Sequence, residues 1–204
     1  MKTVLFAAAA AAVAMLGSAA PALAGEVFVG AYKHDVTFIG EAVGLGAAGR
    51  EDGVDIHLGY RTDRIESLTW LGRPQVHAFV SLNSENTSNF VAVGFDWKIE
   101  LGARGGFYLR PGFGLAYTDG EAGLPPANAP NLTPEERARR TNLYYTRIDF
   151  GSQVLFEPEL ALGYQFNDSW SAELSYTHLS NGQIFAQGKN QGLDDVGVRL
   201  VYAF

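Results

Sequence analysis

From Gly25 to the C-terminus the chain alternates apolar and polar residues with a period of two, over runs of about ten residues. In "NFVAVGFDWKIEL" one set holds Val91, Val93, Phe95, Trp97, Ile99 and Leu101, and the other holds Ala92, Gly94, Asp96, Lys98 and Glu100. Successive side chains of a strand point to opposite faces, so each run has one greasy and one polar face. The pattern repeats at Val54, Ile56, Leu58 and Tyr60 against Asp55, His57 and Arg61. It recurs at Phe107, Leu109, Phe113, Leu115 and Tyr117 against Tyr108, Arg110, Gly112 and Gly114. Eight strands are predicted, at about 26–36, 52–62, 74–84, 89–101, 106–118, 152–166, 169–180 and 193–204.

A soluble sandwich or a lipocalin-like barrel also alternates, with its greasy face inside. Two features favour the opposite orientation. The polar face is rich in charges and glycines, which suits a narrow interior of paired ions and close-packed backbone. The last run, "VGVRLVYAF", sets Val196, Val198, Leu200, Tyr202 and a terminal Phe204 on one face, resembling the closing strand of bacterial outer-membrane barrels. The reading is an all-β, eight-stranded antiparallel up-and-down transmembrane barrel with lipid outside.

The N-terminus agrees. Lys2, an apolar run from Val4 and the small-residue signal Ala22-Leu23-Ala24 make residues 1–24 a secretory signal peptide, leaving 25–204 as the barrel domain. The expected location is the bacterial outer membrane, with both termini in the periplasm. The chain has no Cys, which excludes a disulfide framework and thiolate metal sites. A net charge of −7 argues against nucleic-acid binding. After Gly25 no apolar stretch is long enough for a membrane helix.

One long link runs from Asp119 to about Gly151 and falls on the extracellular side by strand count. Within it Thr133, Pro134 and Glu136 have the spacing of an N-cap, a first-turn proline and a capping-box acid, so a short helix is predicted. Glu135 to Arg140 reads most simply as a solvated face; Arg137, Arg139 and Arg140 contacting anionic lipopolysaccharide is the sharper alternative. His34, His57 and His77 read as ordinary polar residues, His57 as an interior hydrogen-bonding one, and no metal-ligand cluster or cofactor motif is apparent.

The seventh strand breaks the pattern at its top. In "SYTHLSNGQ", residues 175–183, His178 and Ser180 share the face of Trp170 and Leu174. His178 lies eight residues beyond Trp170, roughly 26 Å along the strand and about 20 Å of height when tilted. Both residues then face lipid at the outer-leaflet interface, where barrel stability has no use for them. Serine needs a base to become a nucleophile, and the base needs an orienting acid. Of two acids on the last strand, Asp194 shares the lipid-facing parity of Val196 and Val198, and Asp195 the interior parity of Arg199. Asp194 is the candidate. A Ser and a His beside Asn and Gly are also common in ordinary extracellular turns, and parity alone does not decide for catalysis.

The motifs His178-Leu179-Ser180-Asn181 and Asn190-Gln191-Gly192-Leu193-Asp194 resemble those of the lipid A 3-O-deacylase (PagL-type) family of outer-membrane esterases. The resemblance implies Ser180 as nucleophile, His178 as general base and Asp194 in the acid's place. It also implies an oxyanion hole from the Asn190 side chain and a backbone N–H near Gly182, with Asn181 in support. A member of that family has Glu where this chain has the shorter Asp194, which must sit closer to the imidazole. The implied activity is hydrolysis of the ester-linked 3-hydroxyacyl chain at the 3-position of lipid A, with no cofactor and no metal. The implied partner is lipopolysaccharide in the outer leaflet, and dimerisation is a further implication. The rival functions are an outer-membrane phospholipase and a noncatalytic structural or adhesive barrel.

Overall fold

The computed structural model describes residues 24–44, 48–102 and 106–204; the signal peptide expected over residues 1–24 lies almost wholly outside them. The strands are β1 (Gly25–Lys33), β2 (Val54–Thr62), β3 (Gln75–Asn83), β4 (Phe90–Asp96), β5 (Ile99–Glu100), β6 (Phe107–Thr118), β7 (Val154–Gln165), β8 (Trp170–Leu179) and β9 (Leu193–Ala203). Helices α1 (Phe38–Val43) and α2 (Pro134–Thr146) lie in the first and third links at the end opposite the termini. Neighbouring strands pair antiparallel, β1 pairs with β9, and the β4–β6 pairing completes the ring.

The nine strands form eight staves. Asp96 faces Gly112 and Ile99 faces Leu109 in one unbroken register, so β4 and β5 are two parts of the predicted fourth strand. The break has a local cause. Trp97 N–H donates to the Pro111 carbonyl at 3.0 Å, but Pro111 has no N–H to return the bond. The first strand stops at Lys33, short of expectation, because the chain turns at Asp35 (φ 52°). The Asp35 carboxylate then accepts the N–H groups of Gly49, Arg50 and Glu51 at 3.0, 2.6 and 3.0 Å, tying the first link down over the rim.

The two faces are inverted relative to a soluble protein. Val29, Leu58, Val93, Leu115, Leu160, Leu174 and Val198 are exposed on the outside, while Arg61, Arg110 and Arg199 are fully buried within. Burying an unpaired charge costs several kcal/mol, so the interior must neutralise itself. Arg110 reaches Asp96 at 2.7 Å, Glu26 at 2.8 Å and Glu173 at 3.0 Å. Arg61 reaches Asp96 at 3.1 Å, and Arg199 pairs with Glu173 and, at 3.0 Å, Glu159. Room for these groups comes from glycine: a Cβ on Gly163 would lie 2.1 Å from the Tyr108 ring. An apolar exterior around an ion-paired interior is stable only with hydrocarbon outside.

The interior also holds apolar side chains, beside polar groups such as His34, Asp55 and Asp195 at the end opposite the termini. Phe28, Phe79, Phe90, Ile148, Phe150, Leu155, Leu179 and Leu193 belong to one buried cluster. Ile148 and Phe150 come from the end of the long link, which folds back into the barrel mouth instead of standing free in solvent. Leu179 and Leu193 face each other in the β8–β9 register, anchoring both strand ends in this plug.

Candidate active site

Register decides what parity could only narrow. His178 on β8 is paired directly with Asp194 on β9. Directly opposed residues of antiparallel strands bring their Cβ atoms to roughly 5 Å, so a short aspartate reaches an imidazole without bending either strand. The His178 Nδ1 lies 2.5 Å from Asp194 Oδ1. Both residues are on the outward parity, yet His178 is 5% exposed and Asp194 fully buried.

Tyr176, two residues below His178 on the same face, donates its hydroxyl to the same Asp194 Oδ1 at 3.0 Å. Tyr176 shares the parity of His178 and Leu174, and the sequence alone gives it no task. A diagonal cross-strand contact could have been found from register, since aromatic side chains reach that far. Asp195, the interior acid, lies apart from His178 in the barrel mouth with His34 and Asp55.

Ser180 lies one residue beyond β8, held by an isolated bridge to Phe156: Phe156 N–H donates to the Ser180 carbonyl at 2.7 Å, and Ser180 N–H returns the bond at 3.2 Å. Its hydroxyl makes no hydrogen bond to His178 or to any other described residue, so the contact expected between i and i+2 is not made. Catalytic hydrogen bonds are often long before substrate binds and tighten in the reactive complex.

The turn after Ser180 is built by Asn181, which is fully buried. Its side-chain amide donates to the carbonyls of Phe150 at 2.5 Å and Lys189 at 2.8 Å, while its Oδ1 accepts from Gln183 N–H at 2.5 Å. Asn190 Oδ1 accepts the Asn181 N–H at 2.7 Å, which turns the Asn190 amide nitrogen away from that bond. Gly182 has φ +60°, a conformation that suits glycine, and its N–H has no partner among the described residues. Gly182 and Asn190, the two groups expected to form an oxyanion hole, thus both lie at the turn that follows Ser180. Beside it, Phe156 packs on Phe185 with ring centroids 4.7 Å apart, and Ile184 is 72% exposed.

The other histidines depart from expectation in detail. His57 is buried but makes no hydrogen bond; it stacks on Tyr32 at 3.8 Å. No metal cluster was apparent in the sequence, yet the fold gathers His34, Asp55 and Asp195, and separately His77, Asp96 and Glu159. Burial opposes a charge on His34. Hydrogen bonds to Asp55 at 2.9 Å and Glu51 at 3.2 Å, with the Asp195 charge nearby, outweigh it and raise its pKa to about 10.

In the long link Thr133 caps α2 by accepting Glu136 N–H at 3.2 Å, as its spacing implied. The Glu136 carboxylate does not complete a capping box. It is held by Arg139 at 2.8 Å and Arg140 at 2.6 Å, which pull its pKa down to about 2.

A family model described as lipid A 3-O-deacylase (PagL) matches residues 52–203. No curated protein matches the chain. Among solved structures, the outer membrane enzyme PagL superposes with a TM-score of 0.51 at 13% identity, over 87% of this chain and 97% of that one. A structure from the de novo design of transmembrane β-barrels gives a TM-score of 0.47 at 11% identity, over 88% and 96%. Neisserial surface protein A gives 0.47 at 9% identity, over 89% and 96%.

Proposed function

The chain belongs to the lipid A 3-O-deacylase family, and from that premise we propose that it is a serine esterase removing the ester-linked 3-hydroxyacyl chain at the 3-position of lipid A. The observation that carries the assignment is the direct His178–Asp194 pair at 2.5 Å on the outward face of the rim. Asp194 and Tyr176 hold the imidazole so that Nδ1 carries the proton and Nε2 keeps its lone pair. Ser180 Oγ attacks the ester carbonyl as His178 Nε2 takes its proton, and the alkoxide leaves with that proton to give an acyl-enzyme and a free sugar hydroxyl. Water, deprotonated by the same imidazole, then releases the 3-hydroxy fatty acid. The Gly182 N–H and the Asn190 amide nitrogen are the donors proposed for the oxyanion.

Export through a signal peptide ending at Ala24, with the termini in the periplasm, would set this rim in the outer leaflet where lipid A resides. The acyl chain would lie on the outer wall along Phe156, Phe185 and Ile184, so no tunnel is needed. The test is mass spectrometry of lipid A from a host expressing the wild type or Ser180→Ala. The wild type should lighten lipid A by one 3-hydroxyacyl chain, with chelator having no effect, and the variant should leave it intact. Chain loss persisting in folded Ser180→Ala would remove the nucleophile; none from wild type would return the noncatalytic barrel to first place.

A further inference from the structure

Above the strand ends, between the long link and the β8–β9 loop, lies a cavity of about 450 Å³. One wall is α2, none of whose thirteen residues is buried; it presents Tyr144, 43% exposed, and Tyr145, 68% exposed, to this space. The two rings meet edge to face at 5.2 Å, and Pro125 and Pro126 face them across the cavity. The other wall carries Arg50, Lys189 and Gln191. In a chain of net charge −7, two cations in one cavity stand out, because neither has a carboxylate partner among the described residues. Arg50 is held in place by neutral groups: its Nη1 donates to Gln191 Oε1 at 3.1 Å, and its guanidinium lies 4.5 Å over the Tyr144 ring. Asp149 also lines the cavity, but its two carboxylate oxygens accept the N–H groups of Leu124 at 3.1 Å and Gly151 at 3.3 Å.

The cavity shares its wall with the active site. Lys189 and Gln191 flank Asn190, and Asn190 holds the turn that follows Ser180. We propose that this cavity is the headgroup subsite, binding the phosphorylated glucosamine of lipid A. Arg50 and Lys189 take the phosphate, and Tyr144 and Tyr145 take the sugar face. Exposed aromatic faces beside fixed cations suit a ring that is apolar on one side and anionic at one substituent. The assignment rests on the lipid A reading above, and α2 acquires through it a task that packing does not give.

Binding separates the two ideas, because it needs no turnover. Ser180→Ala protein in detergent would be titrated with bis-phosphorylated lipid A and with the same lipid A stripped of phosphate, folding being checked by heat-modifiable migration. The phosphorylated form should bind about tenfold or more tightly. Adding Arg50→Gln and Lys189→Gln should bring that ratio close to one, and Tyr144→Ala with Tyr145→Ala should weaken both forms alike. Equal affinity for the two lipids, or a ratio unchanged by the Arg50 and Lys189 substitutions, overturns the subsite whatever the lipid A mass spectra show. Absent chain loss with the phosphate preference intact would instead overturn the catalytic reading and leave the subsite standing.

Discussion

Asp194 and Asp195 are neighbours in the chain and differ only in the face they occupy. Asp194 shares one carboxylate oxygen between His178 and Tyr176 and leaves its Oδ2 without a partner. Replacing it with Asn keeps the volume but no longer favours the required tautomer or the imidazolium that forms during attack. Asp194→Asn should fold and lose activity by up to about 10⁴-fold in kcat. Asp195→Asn should keep most of its activity. Tyr176→Phe removes one hydrogen bond to the acid and should cost about tenfold in kcat with KM little changed. Rates of 3-hydroxy fatty acid release by the purified variants check all three. Equal losses in folded Asp194→Asn and Asp195→Asn would show that the outward pair is not the catalytic one.

At the scale of elements, the long link and the β8–β9 loop act together. Asn181 ties the turn to the Phe150 carbonyl, and Gln191 receives the Asp149 N–H at 2.7 Å, so the link braces the turn after Ser180 from above. Its middle is different: α2 has no buried residue and is fastened through its flanks. On the topology expected from the strand count, with the termini in the periplasm, this element projects outside the cell. A protease added to intact cells should therefore nick the chain near α2 and leave a folded barrel. Cleavage only after the outer membrane is opened would invert the barrel and remove the site from the lipid A leaflet.

For the whole molecule, pH tests the polar mouth. His34 has its pKa raised to about 10, above an unfolded value near 6.5, so its contribution to stability is fully present below pH 6.5 and is lost as pH rises through 10. Its partner Glu51 is lowered, by hydrogen bonds that outweigh its burial, so its contribution is present above the ordinary carboxylate range and lost on acidification. The apparent Tm of the detergent-solubilised barrel should fall between pH 7 and 10. His34→Gln should flatten that slope while lowering the neutral-pH value. A wild-type Tm that does not change across this window would contradict a charged His34.

Alternation was legible because a strand in a bilayer answers to two solvents at once, hydrocarbon on one face and a packed polar interior on the other. That is why Val198 and Arg199, adjacent in sequence, could be sent to opposite sides, and why Asp194 could be preferred to Asp195. The family motif added roles that parity could not supply. Register lies outside any single strand: that Asp194 falls directly opposite His178, with Tyr176 on the diagonal, is a relation between two strands. The break at Trp97–Lys98 depends on Pro111 in another strand, and the return of Ile148 and Phe150 into the mouth depends on an apolar space that only closure creates. The Arg50–Lys189 cavity is made by three links distant in sequence, whose meeting local pattern does not encode. Local chemistry determined which way each side chain faces; only the closed barrel decided which side chains meet.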